Sequence, residues 1–279
     1  MEKFIKVAEL KSRLSELRKD KTVGFVPTMG ALHQGHLSLV RQCRSMCDIT
    51  VVSIFVNPTQ FTDKEDYRRY PRTLEADGEI LEHAGCDIVF APAEEEIYPE
   101  KDERIFDFGE LDKVMEGKFR PGHFNGVAQV VSRLFDIVNP DKSFFGQKDF
   151  QQVSIIKNMV RQLNLTTETV VCPIVREQSG LAMSSRNMLL TEIQRKEAAK
   201  ISGALFYIKE QAVTTPVNEV RDEAIRRINS SPELEVEYLE IVDANTLQPV
   251  SGWDEAAEIF VCTAVHAGKI RLIDNVQLK

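Results

Sequence analysis

Through the first 175 residues, apolar positions alternate between a strand-like and a helix-like rhythm. Residues 22–27 are apolar and β-branched and predict a strand. Residues 35–47, with Leu37, Val40, Cys43 and Cys47 at helical spacing, predict a helix. Ile-Thr-Val-Val-Ser-Ile-Phe-Val (49–56) reads as a fully buried strand. A helix over 71–84, a short strand over 86–90 and a helix over 125–138 follow, the last with Val127, Val130, Val131, Leu134 and Val138 on one face. A strand at 141–146, a helix at 151–162 and a strand at 169–175 complete the series. Such alternation, with nearly continuous apolar strands, predicts a parallel sheet covered by helices on both faces. Ligands bind such sheets outside the carboxyl ends of the strands. After residue 190 the order changes to helices at 191–212 and 216–229, then strands at 235–243, 258–265 and 270–273. That order predicts a smaller α+β domain. The polar, glycine-containing join at 176–183 is expected to flex as a hinge.

Bulk properties narrow the class. At 279 residues the chain has ample length for a core, and 43% hydrophobic with 28% charged residues is ordinary for a soluble globular protein. A net charge of −8 argues against nucleic acid as the main partner, because neutralising a phosphate backbone needs a basic surface. A local basic pocket for a small anion stays compatible with it. Five scattered cysteines without framework spacing suggest a reducing compartment. Met1 to Lys6 lacks the apolar core of a signal peptide, and no apolar run approaches membrane-spanning length. A cytoplasmic location is expected.

The chemistry-bearing motifs fall after the predicted strands. Pro27-Thr28-Met29-Gly30-Ala31-Leu32-His33-Gln34-Gly35-His36 joins a strand to a helix through a glycine-bearing turn, with two histidines where the helix begins. A helix N-terminus favours anions, and imidazoles beside it can hydrogen-bond phosphate oxygens. His-x-x-His spacing also occurs at metal sites, but no cysteine pair with ligand spacing accompanies it. Asn57-Pro58-Thr59-Gln60-Phe61 ends the 49–56 strand and either aims the Asn57 and Gln60 amides into the cleft or is a plain turn. Gly146-Gln147-Lys148-Asp149 repeats the strand–glycine–helix form. There Lys148 offers a charge for phosphate, and Asp149 offers either an Mg²⁺ ligand or a helix cap. Of Gln151 and Gln152, at most one is expected to face a ligand. Met183-Ser184-Ser185-Arg186-Asn187 can wrap phosphates or cap a helix. Arg120 and His123 could line the cleft, whereas Glu94–Glu96 reads as a solvated face.

With these motifs in place, the chain resembles the pantoate–β-alanine ligase (pantothenate synthetase) family over nearly its whole length. The resemblance is carried by PTMGALHQGH (27–36), NPTQF (57–61), YPRT (70–73), RPGHFNGV (120–127), FFGQKDFQQ (145–152) and GLAMSSRN (180–187). That family belongs to the HxGH nucleotidyltransferases, relatives of class I aminoacyl-tRNA synthetases. The resemblance implies a Rossmann-like ATP- and pantoate-binding domain over 1–176 and an α+β lid domain over 177–279. It implies that ATP and (R)-pantoate give pantoyl adenylate and pyrophosphate, which β-alanine then converts to pantothenate and AMP. By position, Met29, Gly30, Ala31, Leu32, His33, Gln34, Gly35 and His36 would line the ATP site. Gly146, Gln147, Lys148, Asp149, Val175, Met183, Ser184, Ser185 and Arg186 would complete it. His36, with His33 and Lys148, would be catalytic, and Gln60, Asn57 and Gln152 would hold substrate. Mg²⁺ is expected on the phosphates with Asp149 as its protein partner, and a homodimer is expected by analogy. The rival readings are another HxGH enzyme acting on a phosphate acceptor and an RNA-binding module descended from a synthetase.

Overall fold

In the computed structural model, which describes residues 1–62 and 64–279, the chain divides into two compact units. The first comprises 1–108, 120–146 and 152–172, and the second 109–119, 147–151 and 173–279.

The first unit is built on a six-stranded sheet, every pair of which is parallel. Its strands are β1 (Glu2–Phe4), β2 (Val23–Thr28), β3 (Ile49–Ile54), β4 (Ile88–Phe90), β5 (Lys142–Gly146) and β6 (Glu168–Cys172), in the order β1-β4-β3-β2-β5-β6. β2 and β3 are almost entirely buried, which is why they read as continuous apolar runs. Strand β6 stops three residues earlier than expected because Pro173 has no N–H to donate to the ladder. Among the described residues, seven helices belong wholly or largely to this unit: α1 (Val7–Leu17), α2 (Gln34–Met46), α3 (Lys64–Arg69), α4 (Leu74–His83), α5 (Glu94–Ile97), α7 (His123–Val138) and most of α8 (Phe150–Gln162). α2 lies close on β2 because residue 24 is glycine: a Cβ there would lie 2.8 Å from the Cys47 sulfur. Cys43 is fully buried at that contact, and all five cysteines are free.

The second unit holds an antiparallel sheet of β7 (Leu234–Asp243), β8 (Ile259–Ala267) and β9 (Ile270–Gln277). α9 (Glu192–Gln211) and α10 (Val217–Asn229) cover it through a core that includes Ile201, Leu205, Val220, Ile228, Val261 and Val265. A second cluster sets Met115, from the short helix α6 (Met115–Phe119), against Tyr238, Val242, Phe260 and Cys262. Both faces of β8 are therefore buried. The 109–119 segment is held there by a buried ion pair: Glu116 takes two hydrogen bonds from Arg271, at 2.7 and 2.8 Å, and one from Tyr238 at 2.9 Å.

Segment 176–183, read as a hinge in the sequence, forms a hydrogen-bonded hairpin. Met183 N–H donates to Val175 C=O and Glu177 N–H to Leu181 C=O. Arg176 makes a forked pair with the buried Asp274, at 2.6 and 2.9 Å. Glu177 is likewise committed inside the unit, accepting from Asn187 at 2.9 Å and Arg195 at 3.0 Å.

Candidate active site

Strand order places a topological switch point between β2 and β5, because the chain adds strands on one side of β2 through β4 and on the other side afterwards. β2 pairs with β3 along its whole length but with β5 only at Gly24–Lys142 and Phe25–Ser143. The two strands then part, and a crevice opens at their carboxyl ends. A cavity of about 70 Å³ lies there. At roughly 10–15 Å³ per water, it suits a small molecule and not a nucleotide. Pro27 and Thr28 close one side, and Val127, Val130, Val131 and Leu134 of α7 form an apolar wall. The apolar face read in the sequence over 125–138 therefore lines this cavity in part. Asn57, Gln60 and Gln152 supply the polar groups, and among the described residues no cationic side chain lines the cavity.

Beside it runs the turn that leads into α2. Gly30 and Ala31 both adopt left-handed backbone, with φ of 82° and 50°. This is costly for an alanine and needs outside support. Asp77 of α4, only 1% exposed, provides it. Its carboxylate accepts the Ala31 and Leu32 N–H groups at 2.9 and 2.8 Å and the Thr73 hydroxyl at 3.1 Å. The sequence reading missed Asp77, whose only local signal is an acid at helix spacing behind YPRT.

The two histidines cap α2 reciprocally. His33 Nδ1 accepts the Gly35 N–H at 3.1 Å, and His36 Nδ1 accepts the His33 N–H at 3.3 Å. Their rings lie 4.1 Å apart between centroids. Since Nδ1 of each ring is an acceptor, each ring carries its proton on Nε2 as a donor. Of the N–H groups expected to cradle an anion, those of Ala31 and Leu32 in the turn are taken by Asp77, and those of His33 and Gly35 by these caps.

Gln60 is the best-supported residue of the cavity. Asn57, 1% exposed, donates its Nδ2 to Gln60 Oε1 at 3.1 Å and to Gly126 C=O at 3.2 Å. Gln60 Nε2 stands 3.2 Å from the weakly accepting Met29 sulfur. His123, buried behind the turn, donates Nδ1–H to Gln60 C=O at 2.8 Å while its Nε2 accepts from Arg120 at 3.1 Å. Arg120 and His123, read as cleft candidates, thus support the turn from behind.

In the second unit, Gln147–Asp149 form a 3-10 turn ahead of α8. Asn275 of β9, 2% exposed, donates to the Gln147 and Lys148 carbonyls at 2.9 and 3.0 Å, and Gln147 Nε2 returns a bond of 3.2 Å. Gln151 is buried and spent on the Leu111 and Val114 carbonyls and the Glu116 N–H. Of the two glutamines, Gln152 is the one at a cavity. Ser184 caps the 3-10 turn Ser185–Leu189 by accepting the Arg186 N–H at 3.3 Å. The buried Asn187 ties that turn to Glu177 and Ala182. Lys148, Asp149, Val175, Met183, Ser185 and Arg186 are each partly exposed.

An open parallel sheet with a crevice at its switch point, and a strand–turn–helix carrying His-x-Gly-His beside it, defines a doubly wound α/β protein with a ligand-binding crevice. Comparison with known proteins narrows the class. The family model for pantoate–β-alanine ligase matches residues 2–277, and the chain belongs to that family. It is 52% identical over 274 residues to pantothenate synthetase of Bacteroides thetaiotaomicron, covering 98% of this chain and 97% of the relative. It is 50% identical over 278 residues to that of Porphyromonas gingivalis, covering 99% of each. Among solved structures, pantothenate synthetase from Thermus thermophilus superposes with a TM-score of 0.94 at 44% identity, covering 100% of this chain and 99% of that one. The ligase from Francisella tularensis, solved with β-γ ATP and β-alanine, gives 0.83 at 38% identity, covering 100% and 98%.

Proposed function

We propose that the protein joins (R)-pantoate to β-alanine through pantoyl adenylate, with ATP consumed to AMP and pyrophosphate. The observation that carries this is the composition of the cavity. Pantoate has a carboxylate and two hydroxyls at its ends and a dimethyl-substituted carbon between them. The cavity pairs the Gln60 and Gln152 amides with a wall of Val127, Val130, Val131 and Leu134. A phosphate acceptor would call for a cation there, and none lines it among the described residues.

A carboxylate is already ionised and nucleophilic, so adenylate formation needs alignment and charge neutralisation more than a base. In this reading Gln60 and Gln152 hold pantoate, and Asn57 acts through Gln60. Met29 to His36 face the nucleotide, with His33 and His36 donating Nε2–H to phosphate oxygens as charge builds. Gly146 to Asp149, Val175 and Met183 to Arg186 complete the nucleotide contacts, with Lys148 and Arg186 neutralising phosphate charge. Among the described residues no cluster of three or more His, Cys, Asp or Glu is arranged to hold a metal ion. Mg²⁺ needs no such cage, because it binds through substrate phosphates and one or two carboxylates. Asp149, next to Lys148, fits that mode; Mg²⁺ bound there would screen the phosphate charge. Francisella tularensis ligase, crystallised with β-γ ATP and β-alanine, supports the assignment of both as substrates.

The test has two parts. ATP–pyrophosphate exchange should require pantoate alone, and AMP release should require pantoate and β-alanine together. Exchange without pantoate, or AMP release without β-alanine at a comparable rate, would overturn the proposal.

A further inference from the structure

A carboxylate ligand needs the Gln60 side chain turned one way round, with NH₂ towards the cavity. The chain of bonds behind it dictates that orientation. Asn57 Oδ1 accepts from the Tyr98 hydroxyl at 2.8 Å, from the Thr59 hydroxyl at 3.1 Å and from the Thr59 N–H at 3.4 Å. Asn57 Nδ2 meets only acceptors, Gln60 Oε1 and Gly126 C=O. A flipped Asn57 would set NH₂ against an N–H and oxygen against a carbonyl. Gln60 must then keep Oε1 towards Asn57, which leaves Nε2 facing outward. The end of the relay is also held: the Arg133 guanidinium lies 5.2 Å from the Tyr98 ring centroid and donates to the Ile97 carbonyl and to the buried Asp102 carboxylate. Burial pushes the Tyr98 phenol up to about 12, so it keeps its proton at working pH.

We propose that Tyr98 is a positioning residue for carboxylate recognition, its hydroxyl locking Asn57 and through it the donor face of Gln60 towards the acid substrate. The inference rests on the proposed pantoate site. Tyr98→Phe removes the hydroxyl but keeps the ring over Arg133 and against Phe55. Calorimetric titration of the whole protein, wild type and variant, with (R)-pantoate and with its neutral 1-alcohol analogue provides the test. A hydroxyl donates as well as accepts, so the alcohol tolerates either face of Gln60. Pantoate affinity should fall about tenfold in Tyr98→Phe, the scale of one hydrogen bond, and alcohol affinity by less than about twofold. Equal loss for both ligands would mean that the hydroxyl merely supports the cavity's shape, and no loss for either would mean that the relay is idle. Each result overturns the inference. Wild-type protein that fails to bind pantoate would overturn the functional reading itself, a separate and visible failure.

Discussion

Gly126→Ala should disable pantoate recognition without touching any ligand-facing atom. α7 crosses the Asn57–Gln60 turn so closely that a Cβ on residue 126 would lie 2.6 Å from the Thr59 carbonyl carbon and 2.8 Å from Gln60 Cα, with the Thr59 oxygen nearer still. Ordinary carbon contacts are about 3.5–4.0 Å. All three obstacles are backbone atoms, so no rotamer change relieves them, and the turn must move by about 1 Å. Both bonds that tie turn to helix, Asn57 Nδ2 to Gly126 C=O at 3.2 Å and His123 Nδ1 to Gln60 C=O at 2.8 Å, would then stretch beyond useful length. Overpacking costs about 1–3 kcal/mol, and each lost bond adds about 1 kcal/mol. The variant should therefore lose about 3–5 kcal/mol of stability. A 1 Å displacement of Gln60 should lower kcat/KM for pantoate about 10²-fold. Pyrophosphate release at varied pantoate, with urea unfolding alongside, measures both. Gly203→Ala in α9, where a Cβ meets nothing within 4 Å, is the control and should be neutral or stabilising by up to about 1 kcal/mol. A Gly126→Ala protein with kcat/KM within about twofold of wild type and an unchanged urea midpoint would refute the reasoning.

Three further outcomes follow from the same geometry. His36→Ala and Lys148→Ala should each reduce pantoate-dependent ATP–pyrophosphate exchange by at least about 10²-fold, the scale of one preorganised donor; near-normal exchange in either would remove that residue from the chemistry. Asp77→Asn sets an NH₂ against one of two backbone N–H donors and should cost about 1.5–3 kcal/mol in urea unfolding with a fall in exchange; a variant as stable and active as wild type would show that the Gly30–Ala31 turn holds itself. Hydrogen bonds from Arg104 and then Arg133 keep the Asp102 carboxyl well below the usual carboxylate range. A depressed folded pKa contributes stability that is complete above the unfolded value of about 3.9 and is lost as pH falls through the folded value. Asp102→Asn should thus lower stability by about 1–3 kcal/mol at pH 7, with the gap to wild type narrowing below about pH 4. A gap that stays constant into strong acid would contradict this.

Elements with a strong one-dimensional period were legible. β2, β3, α2, α7 and α8 fall within two residues of where the apolar pattern predicts them, because each buries one face or both against the sheet. Strand β9 shows the limit. Its apolar pattern stops at Ile273, yet the strand runs to Gln277 with Asp274 and Asn275 buried. They are tolerated because Arg176 pairs with the first, while the second serves the Gln147 and Lys148 carbonyls. Those partners are about a hundred residues or more away in the chain, and no local pattern announces them. α1 carries Val7, Leu10 and Leu14 at helical spacing and could have been read, whereas α3, α5 and α6 are too short to show a period.

By itself the sequence determined the sheet class, the motifs and the kinds of group available, since these depend on residue type and on spacing along one strand or helix. Tertiary structure alone decided what each polar group is committed to. It assigned Asn57 to orienting Gln60, Gln151 to the 109–119 segment and Gln152 to the cavity, and it brought in Asp77 and Tyr98 from 46 and 41 residues away. The reason is physical. Burial is encoded locally by hydrophobicity, but a hydrogen bond's direction depends on which donor or acceptor the fold sets opposite, and only the closed chain supplies that partner.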